Sequence, residues 1–178
     1  NQVCDSRVSN LKAVKNLSPE TETIYIKPPA KRSIRSVVRY ADISLNTELS
    51  TIQLLNDEAG EQDKIHKIII MIEMGEWREG VIRSEVIDFY EQIFRLPNIS
   101  VIGVGTNLSC LYGVLPNQDK LIQLSLYKNL IEAKFNRSLK YVSGGSSVTI
   151  PLIKQRLLPK NINHFRVGET LFMGTNVY

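Results

Sequence analysis

The chain has 178 residues, 43% of them hydrophobic, enough for one globular domain with a sizeable core. Twenty-two Lys and Arg against eighteen Asp and Glu leave a net charge of +4 without a long basic block, too mild a balance to argue for nucleic acid. The longest apolar run, residues 68–72, is far too short to cross a bilayer, and the opening residues carry no secretory-signal pattern. Cys4 and Cys110 are isolated thiols without metal-type spacing, which suits a reducing cytoplasm and points to no metal site.

Strand and helix patterns alternate from the start. Gln2-Val3-Cys4 reads as the tail of a strand, with Asp5 or Ser6 capping a helix that carries Val8, Leu11 and Val14 on one face. A second strand at 23–27 is stopped by Pro28-Pro29. The helix pattern at 32–40 turns Ile34, Val37 and Val38 inward and leaves Arg32, Arg35 and Arg39 on a solvated outer face. A third strand at 41–46 leads to a helix at 48–59 with Leu49, Ile52 and Leu55 inward. Residues 67–73 give the clearest strand, because the run Ile-Ile-Ile-Met-Ile asks for burial on both faces. Beyond the loop Met74-Gly75-Glu76-Trp77-Arg78-Glu79-Gly80, Ser84 is placed to cap a helix with Val86, Ile87, Tyr90, Ile93 and Phe94 at helical spacing. A strand at 99–105 runs into Thr106-Asn107-Leu108-Ser109-Cys110. Pro116 and Asn117 open the longest helix, which buries Leu121, Leu124, Ile131 and Phe135, and strands at 139–142 and 163–167 finish the set.

The last two strands carry the chain's main ligand signal. Tyr141-Val142-Ser143-Gly144-Gly145-Ser146-Ser147 ends a strand in a turn whose two glycines let a ligand approach the backbone, and the two serines then cap a short helix. Some twenty residues later Phe165-Arg166-Val167-Gly168-Glu169 repeats the plan, leaving the amides of Gly168 and Glu169 open to the same anion. Regular alternation of seven strands with helices means right-handed crossovers and a parallel sheet. An open doubly wound sheet is the alternative, but no Gly-x-Gly-x-x-Gly follows an early strand. A (β/α)8 barrel of the TIM type, lacking its first strand and helix, fits better: all the polar loops then fall on the rim where such barrels bind phosphate. The natural beginning of the chain is expected to be missing, and the two sheet edges beside the gap are expected to self-associate or lose order, at 2–5 and around the last strand. His66 and His164 precede strands and are expected at the opposite rim in structural roles.

Four stretches, taken together, carry a family resemblance. Met74-Gly75-Glu76-Trp77-Arg78-Glu79-Gly80, Gly103-Val104-Gly105-Thr106-Asn107, Ser143-Gly144-Gly145-Ser146-Ser147 and Ile162-Asn163-His164-Phe165-Arg166-Val167-Gly168-Glu169 occur in the order and spacing of the barrel domain of pyridoxal phosphate-dependent alanine and ornithine racemases. The chain resembles the ornithine branch most, and Asp5-Ser6-Arg7 is similar to that family's exit from its second strand. The resemblance covers essentially the whole chain, so residues 1–178 are read as one cofactor-binding barrel domain.

The resemblance implies pyridoxal 5'-phosphate (PLP) as cofactor. Ser147, with Ser146 beside it in the loop and the amides of Gly168 and Glu169, would hold the phosphate; Arg166 would face the pyridine nitrogen and Arg78 the phenolic oxygen. Asn107 lies where alanine racemases carry a histidine packed on the ring, Ser146 where the family usually has asparagine, and Met71 where alanine racemases have a lysine supporting the arginine. An arginine donates to the pyridine nitrogen without passing on a proton, which favours racemisation over transamination. The family's two bases, a lysine that carries the cofactor and a tyrosine from a following β domain of the partner subunit, have no counterpart in this chain. Lys27, at a strand end, reads as structural, and Trp77 as packed over the site or covering the barrel mouth.

These residues lead to the expectation of a barrel fragment of a cytoplasmic, homodimeric racemase of ornithine, alanine or a similar small amino acid. It would work by two-base proton transfer at Cα and be inactive as it stands, with no nucleic-acid, membrane or metal partner. The alternative is a single-domain PLP carrier without substrate turnover. A phosphosugar-binding barrel comes third, because it leaves Arg166 and Arg78 without a role.

Overall fold

The structure, a computed structural model, describes residues 2–109 and 113–174; Asn1, Cys110 and Tyr178 lie outside them. In chain order its elements are β1 (Gln2–Asp5), α1 (Val8–Leu17), β2 (Glu22–Tyr25), α2 (Ile34–Tyr40), β3 (Ile43–Asn46), α3 (Leu49–Glu61), β4 (His66–Met71), α4 (Val86–Ile93), β5 (Ile99–Gly105), α5 (Gln118–Phe135), β6 (Tyr141–Ser146), α6 (Ile150–Lys154), β7 (His164–Arg166) and α7 (Glu169–Met173). The seven strands follow one another across the sheet in sequence order, and every described strand pairing is parallel.

Two compact units divide the chain. The first comprises Asn1–Ile70 and Asp88–Ile102. Leu11 of α1, Ile34, Val37 and Val38 of α2, and Leu55 and Ala59 of α3 are buried together with Tyr25 of β2 and with Ala41. Asp42 fixes the start of β3. Its carboxylate accepts the Thr23 amide at 2.7 Å and hydroxyl at 3.0 Å and meets the Lys15 ammonium at 2.6 Å. Burial alone would raise the Asp42 pKa, but Lys15 and Thr23 hold it below the usual carboxylate range. The Asp42 amide also donates to the Thr23 carbonyl at 3.0 Å, and β3 begins at Ile43 instead of residue 41.

The expected loss of order at 2–5 is not found. Those residues form β1, paired from Gln2 opposite Glu22 to Asp5 opposite Tyr25. Asp5 closes the strand and also clamps the next helix, accepting the Arg7 amide at 2.7 Å and the Asn10 side chain at 2.9 Å. The side-chain cap expected of Asp5 or Ser6 is not found: Arg7 occupies the N-cap position of α1, and Asp5 holds the Arg7 amide and the Asn10 side chain instead.

His66 is the first residue of β4 and buried, with Nε2 2.8 Å from the Ser44 hydroxyl, which also accepts a hydrogen bond from Asn46 at 2.9 Å. Burial, helped by the positive charge of Lys64, pushes its pKa down to about 4. The structural role expected of it stands.

The second unit comprises Met71–Ile87 and Gly103–Tyr178. β4 ends at Met71, short of residue 73, because the chain folds back and Val81 pairs beside Ile72. That return requires Gly80: its φ is +147°, and a Cβ there would lie 2.4 Å from the Glu73 nitrogen. α5 opens as the sequence predicts, with the Asn117 side chain accepting the Lys120 amide at 2.9 Å. Among the described residues no helix is long and apolar enough to cross a membrane.

Candidate functional site

β6 and β7 pair at Ser143 opposite His164 and again at Ser146 opposite Arg166, so β6 advances three residues while β7 advances two. This is a β-bulge, and the glycines make it possible. Gly145 holds a φ of +117°, and a Cβ on Gly144 would lie 2.4 Å from Ile162 Cγ2. The sequence reading is corrected here. Gly144 and Gly145 belong to the strand, not to a turn after residue 142, and the space beside Gly144 is filled by Ile162 rather than left for a ligand.

Ser147 follows the bulge and starts a single 3-10 turn, Ser147–Thr149, before α6. Neither Ser146 nor Ser147 caps a helix with its side chain as expected. The buried Ser147 hydroxyl instead accepts the amide of Thr170 at 3.3 Å, which ties this turn to the first turn of α7. Gly168 precedes that helix; the amides of Gly168 and Glu169 have no hydrogen bond among the described residues, and a Cβ on Gly168 would meet nothing within 4 Å. A serine hydroxyl tied to this segment and two amides without a hydrogen bond among the described residues are a set of groups suited to an anion.

Arg166 ends β7 with its guanidinium held by three acceptors. Nη1 donates to the Ser143 hydroxyl at 2.5 Å, and Nη2 donates to the Thr106 carbonyl at 3.0 Å and to Asn107 Oδ1. Asn107, whose oxygen is used this way, donates its Nδ2 to Glu79. Burial pushes the Glu79 carboxyl up, and the charges of Arg78 and Arg166 pull it back in part. Arg78 is exposed and joins the group through its neighbour Glu79. On the other side of Ser143, His164 Nδ1 lies 2.9 Å from the same hydroxyl. The result is a continuous polar chain, Glu79–Asn107–Arg166–Ser143–His164, in which a cation that cannot lose its proton is fixed in one orientation.

The structure thus brings Asn107 and Arg166 into direct contact, sets Ser146 opposite Arg166 in the sheet, and joins Ser147 to the segment that carries Gly168 and Glu169. Three members of the polar chain, Glu79, Ser143 and His164, were given no site role from the sequence. Glu79 stands in the loop quoted for its resemblance, next to Arg78, but nothing local marks it as a partner of Asn107. His164 was placed at the opposite rim, yet it is the register partner of Ser143 and reaches its hydroxyl. Glu76, also unassigned, is buried and accepts the amides of Ser109 and Val114 at 3.1 Å each, bracing the loop that follows Asn107. Met71 packs toward Gly105, where a Cβ would lie 3.1 Å from its sulfur. Lys27 is exposed beyond the end of β2, and Trp77 is 73% exposed, too open for the packed lid considered for it.

Residues 1–176 match the family described as alanine racemase, N-terminal domain. An ornithine racemase of Acetoanaerobium sticklandii is 39% identical over 171 residues, covering 96% of this chain and 48% of the relative. A lysine racemase of Thermotoga maritima is 25% identical over 173 residues, covering 97% of this chain and again 48% of the relative. The chain spans about half the length of these curated relatives. Among solved structures, PipY of Synechococcus elongatus with PLP bound superposes with a TM-score of 0.80 at 17% identity, covering 95% of this chain and 80% of that one. This last likeness speaks for the fold, which is α/β of the (β/α)8 class.

Proposed function

Because the chain belongs to the family of alanine racemase N-terminal domains, whose cofactor is PLP, we propose that it forms the cofactor-binding part of an amino-acid racemase, with ornithine as the first candidate substrate. The observation that carries this reading is the clamped Arg166 guanidinium beside the open amides of Gly168 and Glu169. The similarity to an ornithine racemase supports the substrate.

When bound, PLP supplies the electron sink that makes the substrate Cα proton removable. The chain's own residues bind and orient. In this reading the Ser147 hydroxyl and the amides of Gly168 and Glu169, with Ser146 next to them, hold the phosphate. Arg166 offers a hydrogen bond to the pyridine nitrogen and keeps its own proton, and its three acceptors prevent it from swinging away. Arg78 supplies a positive charge for the phenolic oxygen. Asn107, oriented by its hydrogen bond to Glu79, would face the ring. Proton removal and return on opposite faces of Cα, and assembly into a homodimer, are proposed for the whole protein.

A second reading, a PLP-binding protein without turnover, is suggested by the likeness in fold to PipY with PLP bound, at a TM-score of 0.80. One experiment separates the two. The full-length protein is mixed with PLP and divided: one portion is reduced with borohydride to fix any bound cofactor for mass analysis, and the unreduced portion is assayed for loss of optical activity of L-ornithine, L-lysine and L-alanine. Retained cofactor with racemisation of ornithine is expected. Retained cofactor with no turnover of any of the three leaves the carrier, and absence of bound PLP refutes both readings.

A further inference from the structure

We infer that His164 is a positioning residue for Arg166: neutral, with Nδ1 bare and Nε2 protonated, it takes the hydroxyl hydrogen of Ser143 and keeps the serine oxygen turned toward the guanidinium. This rests on the reading of Arg166 as the residue that faces the cofactor.

A count of hydrogens assigns the tautomer. Ser143 is 0% exposed, and its hydroxyl has two partners among the described residues, Arg166 Nη1 at 2.5 Å and His164 Nδ1 at 2.9 Å. A guanidinium only donates, so the serine oxygen accepts from Arg166. One hydroxyl hydrogen remains, and His164 Nδ1 is the partner left to receive it. Were Nδ1 protonated, the oxygen would face two donors while its own hydrogen pointed at nothing, the costly arrangement for a buried polar group. Nδ1 therefore accepts, and the ring proton sits on Nε2.

Packing holds the imidazole to this task. His164 is 7% exposed, its ring lies 5.1 Å from the Tyr141 ring at an interplanar angle of 49°, and the sheet register sets it opposite Ser143. The direction of donation runs from Arg166 to Ser143 to His164. Each bond in such a chain polarises the next, so the serine oxygen becomes a better acceptor for the arginine than a lone hydroxyl would be. The Thr106 carbonyl and Asn107 hold Nη2, and Ser143, through which His164 acts, holds Nη1.

The test uses the full-length protein with 15N-labelled histidine. His164, assigned by the signal missing from a His164→Asn variant, is expected to show a bare Nδ1 and a protonated Nε2; a protonated Nδ1 overturns the inference. PLP affinity and the absorption spectrum of the bound cofactor are then compared in two variants. His164→Leu removes the acceptor and is expected to weaken binding about tenfold and move the absorption maximum, whereas His164→Asn, whose carbonyl stands close to the position of Nδ1, returns to within about twofold of the parent. A leucine variant that binds like the parent, or an asparagine variant as weak as the leucine one, overturns the inference. If the parent binds no PLP the cofactor reading fails, and the tautomer alone decides this one.

Discussion

His66 shows how one buried side chain makes stability depend on pH. In the unfolded chain it titrates near 6.5; in the fold, burial and the charge of Lys64 bring it to about 4, with Asp42 opposing. Between those values the unfolded state binds a proton that the folded state refuses. Stability is therefore complete above the unfolded value and falls as pH drops toward the folded one, by roughly 2 to 3 kcal/mol at about pH 4.5. Urea unfolding of the parent and of His66→Gln at neutral and acid pH measures this. The variant is expected to lose most of that slope, and an equal slope in both proteins would reject His66 as its source. Glu79 is the complementary case. Burial raises its carboxyl, the charges of Arg78 and Arg166 oppose the rise, and it accepts a hydrogen bond from Asn107. Replacing it by Gln, which can turn its amide oxygen to Asn107, is expected to leave PLP affinity within about threefold, whereas Glu79→Leu lowers it about tenfold by fluorescence titration. Equal affinities would remove Glu79 from the site.

At the scale of elements, the bulge between β6 and β7 decides where Ser147 and Arg166 end up. The extra residue in β6 depends on Gly145 at a φ of +117° and on Gly144 pressed against Ile162. A methyl group on Gly144 would overlap Ile162 Cγ2 and crowd Phe165, so Gly144→Ala should cost about 1–3 kcal/mol. The same substitution in an Ile162→Ala background should cost about 1 kcal/mol less, since the overlap is gone. Denaturant curves of the two singles and the double close that cycle; additive effects would mean that the glycine serves something other than this contact. The sequence showed the glycine pair but not its purpose. Alternation of apolar residues ends at Val142, so pattern alone ends the strand there, and only the neighbouring β7 shows that pairing continues to Ser146.

For the whole molecule, every proposed cofactor contact falls in the unit of Met71–Ile87 and Gly103–Tyr178. PLP at a hundredfold excess over its dissociation constant should stabilise the full-length protein by about 2.7 kcal/mol and raise its melting temperature accordingly. Hydrogen exchange should locate the effect: slower exchange at 143–149 and 166–170, with little change in α1, α2 and α3. Protection confined to the helices of the other unit would place the ligand elsewhere. β1 and β7 stand at the two ends of the strand order, each with one described neighbour, so the self-association expected of such edges is tested by light scattering of the isolated chain.

What the sequence determined by itself was the order of elements and the stretches from which the candidate site is drawn. Periodicity is a local property: the run at 68–72, the 3.6-residue spacing of Leu121 and Leu124, and the cap at Asn117 each act within one element, and all are found where expected. What only the tertiary structure decided was which polar groups meet. Glu79 and Asn107 are 28 residues apart, His164 and Ser143 are 21 apart, and Arg166 reaches Thr106 across 60. Contacts at such separations are set by strand register and by a one-residue bulge. A shift of one residue in either would turn these side chains to the other face of the sheet, and no spacing within a single strand records that choice.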